Sequence, residues 1–190
     1  MTRATLKNDT QAEKFFNELF GSLKKDKNIV LTKEFKIIEK VYKKSGFRGL
    51  MNDLWKAYPS EELEKLLCLA EDNGGVVLAK KGQQTVMELN NLGRFGFWGS
   101  SSNPREVKIS FSTKNGNYYM DFGLEKDGEI CTWQRYQKDS VYSRFHSSTG
   151  MIKQRTVHPS IGYPDSTYYN KDGTPDAWKN MLYGGPAIPT

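Results

Sequence analysis

Asp72-Asn73-Gly74-Gly75 divides this chain of 190 residues into two compositions. Upstream lie three glycines (Gly21, Gly46, Gly49) and one proline, Pro59; downstream lie fourteen glycines and six prolines. Glycine and proline interrupt helices and supply the tight turns between strands. The upstream stretch therefore reads as packed helices, and the downstream stretch as short strands joined by turns.

Working back from the break, Thr10-Gln11-Ala12-Glu13 has the form of a capping box. Ala12, Phe15, Phe16, Leu19, Phe20 and Leu23 follow it, and at helical spacing they fall within an arc of roughly 140°. Lys24, Lys25 and Lys27 suit the negative end of that helix. Thr32 reads as the next N-cap, with Phe35, Ile38, Val41 and Tyr42 on the apolar face and Gly46 as the stop. A short third helix carries Leu50, Met51, Leu54, Trp55 and Tyr58. Ser60, with Glu61 and Glu62 behind it, opens a fourth; Leu63, Leu66, Leu67 and Ala70 point inward, and Asn73-Gly74 ends it. No strand is expected before residue 73.

Beyond the break the period becomes two. Val76–Ala79 and Thr85–Leu89 read as strands around Lys81-Gly82. Val107, Ile109 and Phe111 alternate with Lys108, Ser110 and Ser112; Asn115-Gly116 is a hairpin signal, and Tyr118, Met120 and Phe122 continue the pattern. Lys126-Asp127-Gly128 is another turn, Glu129–Tyr136 another strand, and Met151–His158 a further one. The expected fold class is α+β: about four N-terminal helices (residues 1–73) on one face of an antiparallel meander (74–158), then a loop-rich segment (159–190). In element order alone this is similar to ribonuclease toxins of the barnase, colicin and RelE kinds.

Lysine and arginine number 28 against 22 acids, a formal charge of +6, split +2 before Asn73 and +4 after it. That balance favours encounters with polyanions. Two isolated cysteines, Cys68 and Cys131, suit a reducing compartment, and nothing in their spacing demands a bridge. Cys68 among Leu66, Leu67 and Leu69 is expected to pack in the core. The polar N-terminus reads against a signal peptide, and no apolar run approaches a membrane span. A cytoplasmic protein is expected, without membrane partner, metal or cofactor.

Two constellations carry candidate chemistry. His146 and His158, the only histidines, lie near Tyr142, Arg144, Lys153 and Arg155. A base, an acid and a cation for phosphate are the parts of a metal-independent ribonuclease. The second is the exposed face of the sheet, which, depending on register, mixes Lys108, Tyr119, Asp121, Trp133 and Arg135, rings with charge. Such faces stack on bases. Trp98, Phe97, Tyr118 and Tyr136, near Arg94 and Arg105, extend the same theme.

Other motifs point to plain structure. Gly99–Asn103 and His146–Gly150 are hydroxyl-rich loops without the Gly-Lys-Ser/Thr of a phosphate-binding loop. Asn170–Asp176 groups oxygen donors around Gly173, but Met181, the twelfth residue counted from Asn170, stands where a calcium-binding loop requires glutamate. An Asp-Gly turn leading into a helix at Asp176 is expected there instead. The functional expectation is a protein that engages nucleic acid, RNA foremost, or another polyanion, with ribonuclease activity as its enzymatic form. The alternative is a viral or phage-like assembly protein docking on protein through its aromatic sheet and its Gly/Pro-rich tail.

Overall fold

The structure is a computed structural model that describes residues 6–55, 59–91, 107–112, 118–125 and 128–186. Tyr58, Arg94, Phe97, Trp98, the Gly99–Asn103 loop, Arg105, the Asn115-Gly116 turn, Lys126-Asp127 and the last four residues lie outside that description.

Helices and an antiparallel sheet form the expected α+β mixture. Three helical spans precede the break: α1 (Asp9–Lys25), α2 (Lys33–Trp55) and α3 (Glu61–Asn73). The span α2 is two helices in succession, the second and third of those expected, separated at Gly46, whose φ of 70° and ψ of −171° are non-helical. The expected stop at Gly46 is observed, and Phe47, Leu50, Met51 and Leu54 are buried in the helix that follows it. A fourth helix, α4 (Ala177–Tyr183), lies at the other end of the chain, so the helices are not all N-terminal.

The caps follow local chemistry. α1 starts before the expected Thr10: Asn8 Oδ1 accepts from the Gln11 amide at 3.0 Å, and the Gln11 side chain accepts from the Lys7 amide at 2.5 Å. The capping pair is therefore Asn8 and Gln11, a shift of two residues that leaves Thr10 exposed inside the helix. Thr32 caps α2 as expected, its hydroxyl accepting from the Phe35 amide at 3.2 Å. Ser60 caps α3, and Gly74 ends it in the left-handed conformation.

Among the described residues the sheet has ten strands, each hydrogen-bonded to the next in chain order. They are β1 (Ile29–Leu31), β2 (Val76–Lys81), β3 (Gln84–Asn91), β4 (Val107–Ser112), β5 (Tyr118–Leu124), β6 (Ile130–Tyr136), β7 (Asp139–Phe145), β8 (Ile152–His158), β9 (Asp165–Tyr168) and β10 (Gly185–Pro186). Every pairing is antiparallel. β1 overturns the expectation of an all-helical start. Ile29-Val30-Leu31 leaves a turn closed by Asp26 and pairs with β2, where Lys81 Nζ meets Asp26 Oδ2 at 2.6 Å. It lengthens the sheet at its edge and lies beside β2, not across a face. β9 and β10 lie in the segment expected to be loop-rich after Pro159, and α4 is the helix expected at Asp176.

Register assigns the faces, since directly paired residues share one side of a sheet. Leu89, Ile109 and Phe122 form one row, and Met87, Phe111 and Met120 the next. All six are buried against the helices. Phe16 of α1 is the centre of this packing. Its ring meets Phe47 at 4.8 Å, Phe122 at 5.2 Å and Phe111 at 5.5 Å, the last two edge to face. Edge-to-face rings gain quadrupole attraction beyond the area they bury. Truncation of this fully buried ring opens a cavity bounded by two helices and two strands. Phe16→Ala should destabilise the fold by about 3–5 kcal/mol, measured by urea unfolding.

A second junction ties the N-terminus to the sheet. The Ile152 amide donates to Lys7 O at 2.9 Å, and the Asp9 amide to Gly150 O at 2.8 Å. Gly150 has φ of 71°, and a Cβ there would stand 2.5 Å from Asp9 Oδ1. Gly150→Ala should therefore cost more than the ~1–2 kcal/mol of left-handed backbone alone. In the same unfolding assay Gly173→Ala, at φ of 87° against the flexible end of Met151, provides the comparison and should cost less.

Candidate nucleic-acid interface

The strand positions between the core rows build the other face. Glu88, Ser110, Asp121, Trp133, Tyr142, Thr156 and Ser166 form one row across β3–β9. Lys108, Gly123, Cys131, Arg144 and Gln154 form the row on one side of it; Ser112, Tyr119, Arg135, Ser140 and His158 form the row on the other. Lys108, Tyr119, Trp133 and Arg135 thus share the face turned away from the helices. Tyr142, Arg144 and His158, expected on other grounds, join them. Trp133, Tyr142 and His158 are each half-buried.

The rings form a connected strip. Trp133 lies 5.5 Å from Tyr142 and 5.2 Å from His158, between centroids. The Arg135 guanidinium sits 5.1 Å from the centre of the Tyr119 ring, a cation–π contact. Burial holds the Tyr142 phenol protonated far above its usual range, and its hydrogen bond to the Glu125 carboxylate adds to the effect. Tyr142 therefore donates and does not serve as a base.

Carboxylates temper the cations. Glu129 is buried, and it accepts from Arg144 Nη2 at 3.1 Å and from Lys153 Nζ at 2.9 Å. Lys153 reaches the same side as Arg144 because the β7–β8 register shifts between Arg144 and Phe145. A buried carboxylate needs such partners. Arg144 and Lys153 are thereby committed to a structural ion cluster. Burial raises the Asp121 carboxyl above its ordinary value, against the lowering pull of a Ser110 hydrogen bond and the Lys108 and Arg135 charges. Glu88, in the same row, is raised by burial and then by Asp121.

The structure does not bring the two histidines together. Ser140 pairs with His158, while His146 follows Phe145 at the far end of the same hairpin. Six residues of strand separate the ends by about 20 Å. His146 Nε2 lies 3.0 Å from Tyr169 O, so that nitrogen carries the proton and donates to the carbonyl. It borders a cavity of about 160 Å³ with Asp9, Arg48, Asn52 and Gly128, where Arg48 Nη2 meets Asp9 Oδ1 at 2.7 Å. Arg155 pairs with Ser143 and Thr167 and so falls on the helix-side face, away from Arg144 and His158. His146, His158, Arg144 and Arg155 do not converge on one cleft.

No family model matches this chain, and no curated protein or solved structure matches it.

The remaining motifs resolve locally. Cys68 and Cys131 are unbridged, and Cys68 is exposed. The expected core role for Cys68 fails because α3 buries Leu63, Leu66, Leu67 and Ala70, which leaves position 68 on the outer side. His146–Gly150 is a tight hairpin turn. In Asn170–Asp176, Asp172 Oδ1 accepts from the Thr174 amide and hydroxyl, which hold its carboxyl below the usual range. Asp176 caps α4. Among the described residues no three His, Cys, Asp or Glu side chains cluster as metal ligands. No described helix is long and apolar enough to cross a membrane.

Sequence reasoning placed Asp121 on this face but missed Glu125 and Glu129, which tie up the tyrosine and two of the cations. The strand period would have assigned their side. Their partners depend on the bulge at Lys153, which no local signal announces.

The Asp121 shift has a sign that can be checked. A carboxyl raised above 3.8 in the folded state binds its proton more tightly there than when unfolded. Stability is then lost as pH rises through the window above 3.8. Asp121→Asn keeps an acceptor for Ser110 and removes this loss. Its stability relative to the parent should increase between about pH 3.5 and pH 7, read from urea midpoints at both values.

Proposed function

We propose that the face of the sheet opposite the helices binds single-stranded nucleic acid, RNA in preference. One observation carries this reading: register sets Tyr119, Trp133, Arg135, Tyr142 and His158 side by side on that face. Bases stack on the Trp133–Tyr142–His158 strip, and Lys108 and Arg135 meet phosphates. Stacking tolerates any base, so sequence preference is weak. Cleavage requires an acid and a base on opposite sides of one phosphate. His158 alone of the two histidines stands on this face, and Tyr142 is held as a donor by Glu125. The reading is therefore one of binding without strand scission by a histidine pair.

The charge ledger sets a quantitative expectation. Glu129 holds Arg144 and Lys153, so the proposed phosphate contacts fall to Lys108 and Arg135. For a single strand the logarithm of affinity should then fall with that of salt with a slope of about −1.4. Fluorescence anisotropy of a labelled RNA oligonucleotide measures both affinity and slope. Trp133→Ala should weaken binding by about 1–3 kcal/mol at fixed salt and leave the slope unchanged. Arg135→Ala should reduce the slope by about 0.7. Failure of the parent protein to bind at low salt, or undiminished binding by Trp133→Ala, overturns the reading.

A further inference from the structure

The last edge of the sheet carries an apolar surface that no described residue covers. α4 buries none of its residues. Trp178, Met181 and Tyr183 are each 67% exposed and Leu182 is 49% exposed. Ile161 and Tyr163, in the turn before β9, are 90% and 57% exposed. The segments are adjacent: β10 follows α4 directly and pairs with Ser166 and Asp165, the start of β9. At about 150–250 Å² for each large side chain, these exposed fractions sum to roughly 600–1,000 Å² of surface. Surface patches that large on a monomer mark contact sites.

We infer that this edge is a self-association surface, and that two copies of the chain pair through it about a two-fold axis. Three observations fix the occupant. The area matches the ~800 Å² per partner that a stable interface uses. The charge distribution favours self-pairing over a polyanion or an anionic bilayer. Residues 159–190 hold two lysines and three aspartates, whereas the chain carries +6. Two copies meeting here juxtapose their nearly neutral ends and keep their basic surfaces apart. The backbone of the edge is also occupied. The Asn180 side chain accepts from the Tyr168 amide at 2.6 Å and donates to the Tyr168 carbonyl at 2.9 Å. With β10 on the preceding residues, this amide takes the place of a neighbouring strand. An added peptide strand is blocked, and contact must be made by side chains.

A two-fold interface is isologous, so each substitution acts twice. Sedimentation equilibrium of the full chain, at high salt to suppress polyanion binding, should show a concentration-dependent rise towards twice the monomer mass. The double substitution Trp178→Glu/Met181→Glu places like charges across the axis and should hold the mass at one chain, with unchanged far-ultraviolet circular dichroism. If the pair disturbs α4, Ile161→Glu alone, in a turn outside any helix, should still shift the association at least tenfold. A parent protein that stays monomeric at all accessible concentrations overturns the inference. So does dimerisation unaffected by all three substitutions. Binding of the monomer to anionic vesicles through Trp178, seen as co-sedimentation without dimer, overturns it in favour of a lipid surface.

Discussion

The contact of Phe16 with Phe111 and Phe122 decides which side of the sheet is inside. Strand side chains alternate with a period of two, so fixing one pair of neighbouring strands fixes every other residue along them. The meander then transmits that choice without interruption, because each strand pairs with the next in sequence. Once Phe122 faces α1, Asp121 and Gly123 must face away; through register so must Trp133, Cys131, Tyr142 and Arg144. The candidate interface is thus a consequence of the core. A slip of one residue at β5 would bury Asp121 and expose Phe122, and the cost of that exchange holds the register.

Much of this was legible from local pattern. The helical faces of Phe16–Leu23 and Leu63–Ala70, the caps at Thr32 and Ser60, and the alternation of β4 to β6 are all written at short range. The company of Lys108, Tyr119, Trp133 and Arg135 was legible only in part, because period two relates residues within one strand and their shared face across β4 to β6 needs the register. Elements that depend on distant partners were not legible. Ile29-Val30-Leu31 is too short to declare itself and becomes a strand only because β2 offers an edge. β9 and β10 exist only by pairing with β8 and with each other, which periodicity cannot reveal.

The histidines show the same limit. In sequence His146 and His158 are close and share basic neighbours. A hairpin separates such residues by folding the chain between them, and distance grows with strand length. One end of β7–β8 is anchored on α1 through Gly150 and Asp9; the other belongs to the open face. Proximity in sequence across a turn places residues opposite one another only when they are equally far from its tip. His146 sits at the tip, and His158 does not.

Electrostatics sets what the open face can do. A basic composition suggests a surface dominated by phosphate attraction, yet Arg144 and Lys153 spend their charge on Glu129, whose burial would otherwise be prohibitive. Asp121 lies within the field of Lys108 and Arg135 and offsets part of theirs. Little of the net +6 is therefore free on this face, and Coulomb attraction alone would hold a strand weakly. Any affinity it has must come from the faces of Trp133 and its neighbours, whose contribution does not decay with salt. Sheet geometry supplies that contribution cheaply. The rings are already ordered by contact with one another and with Arg135, so a ligand pays little side-chain entropy to use them.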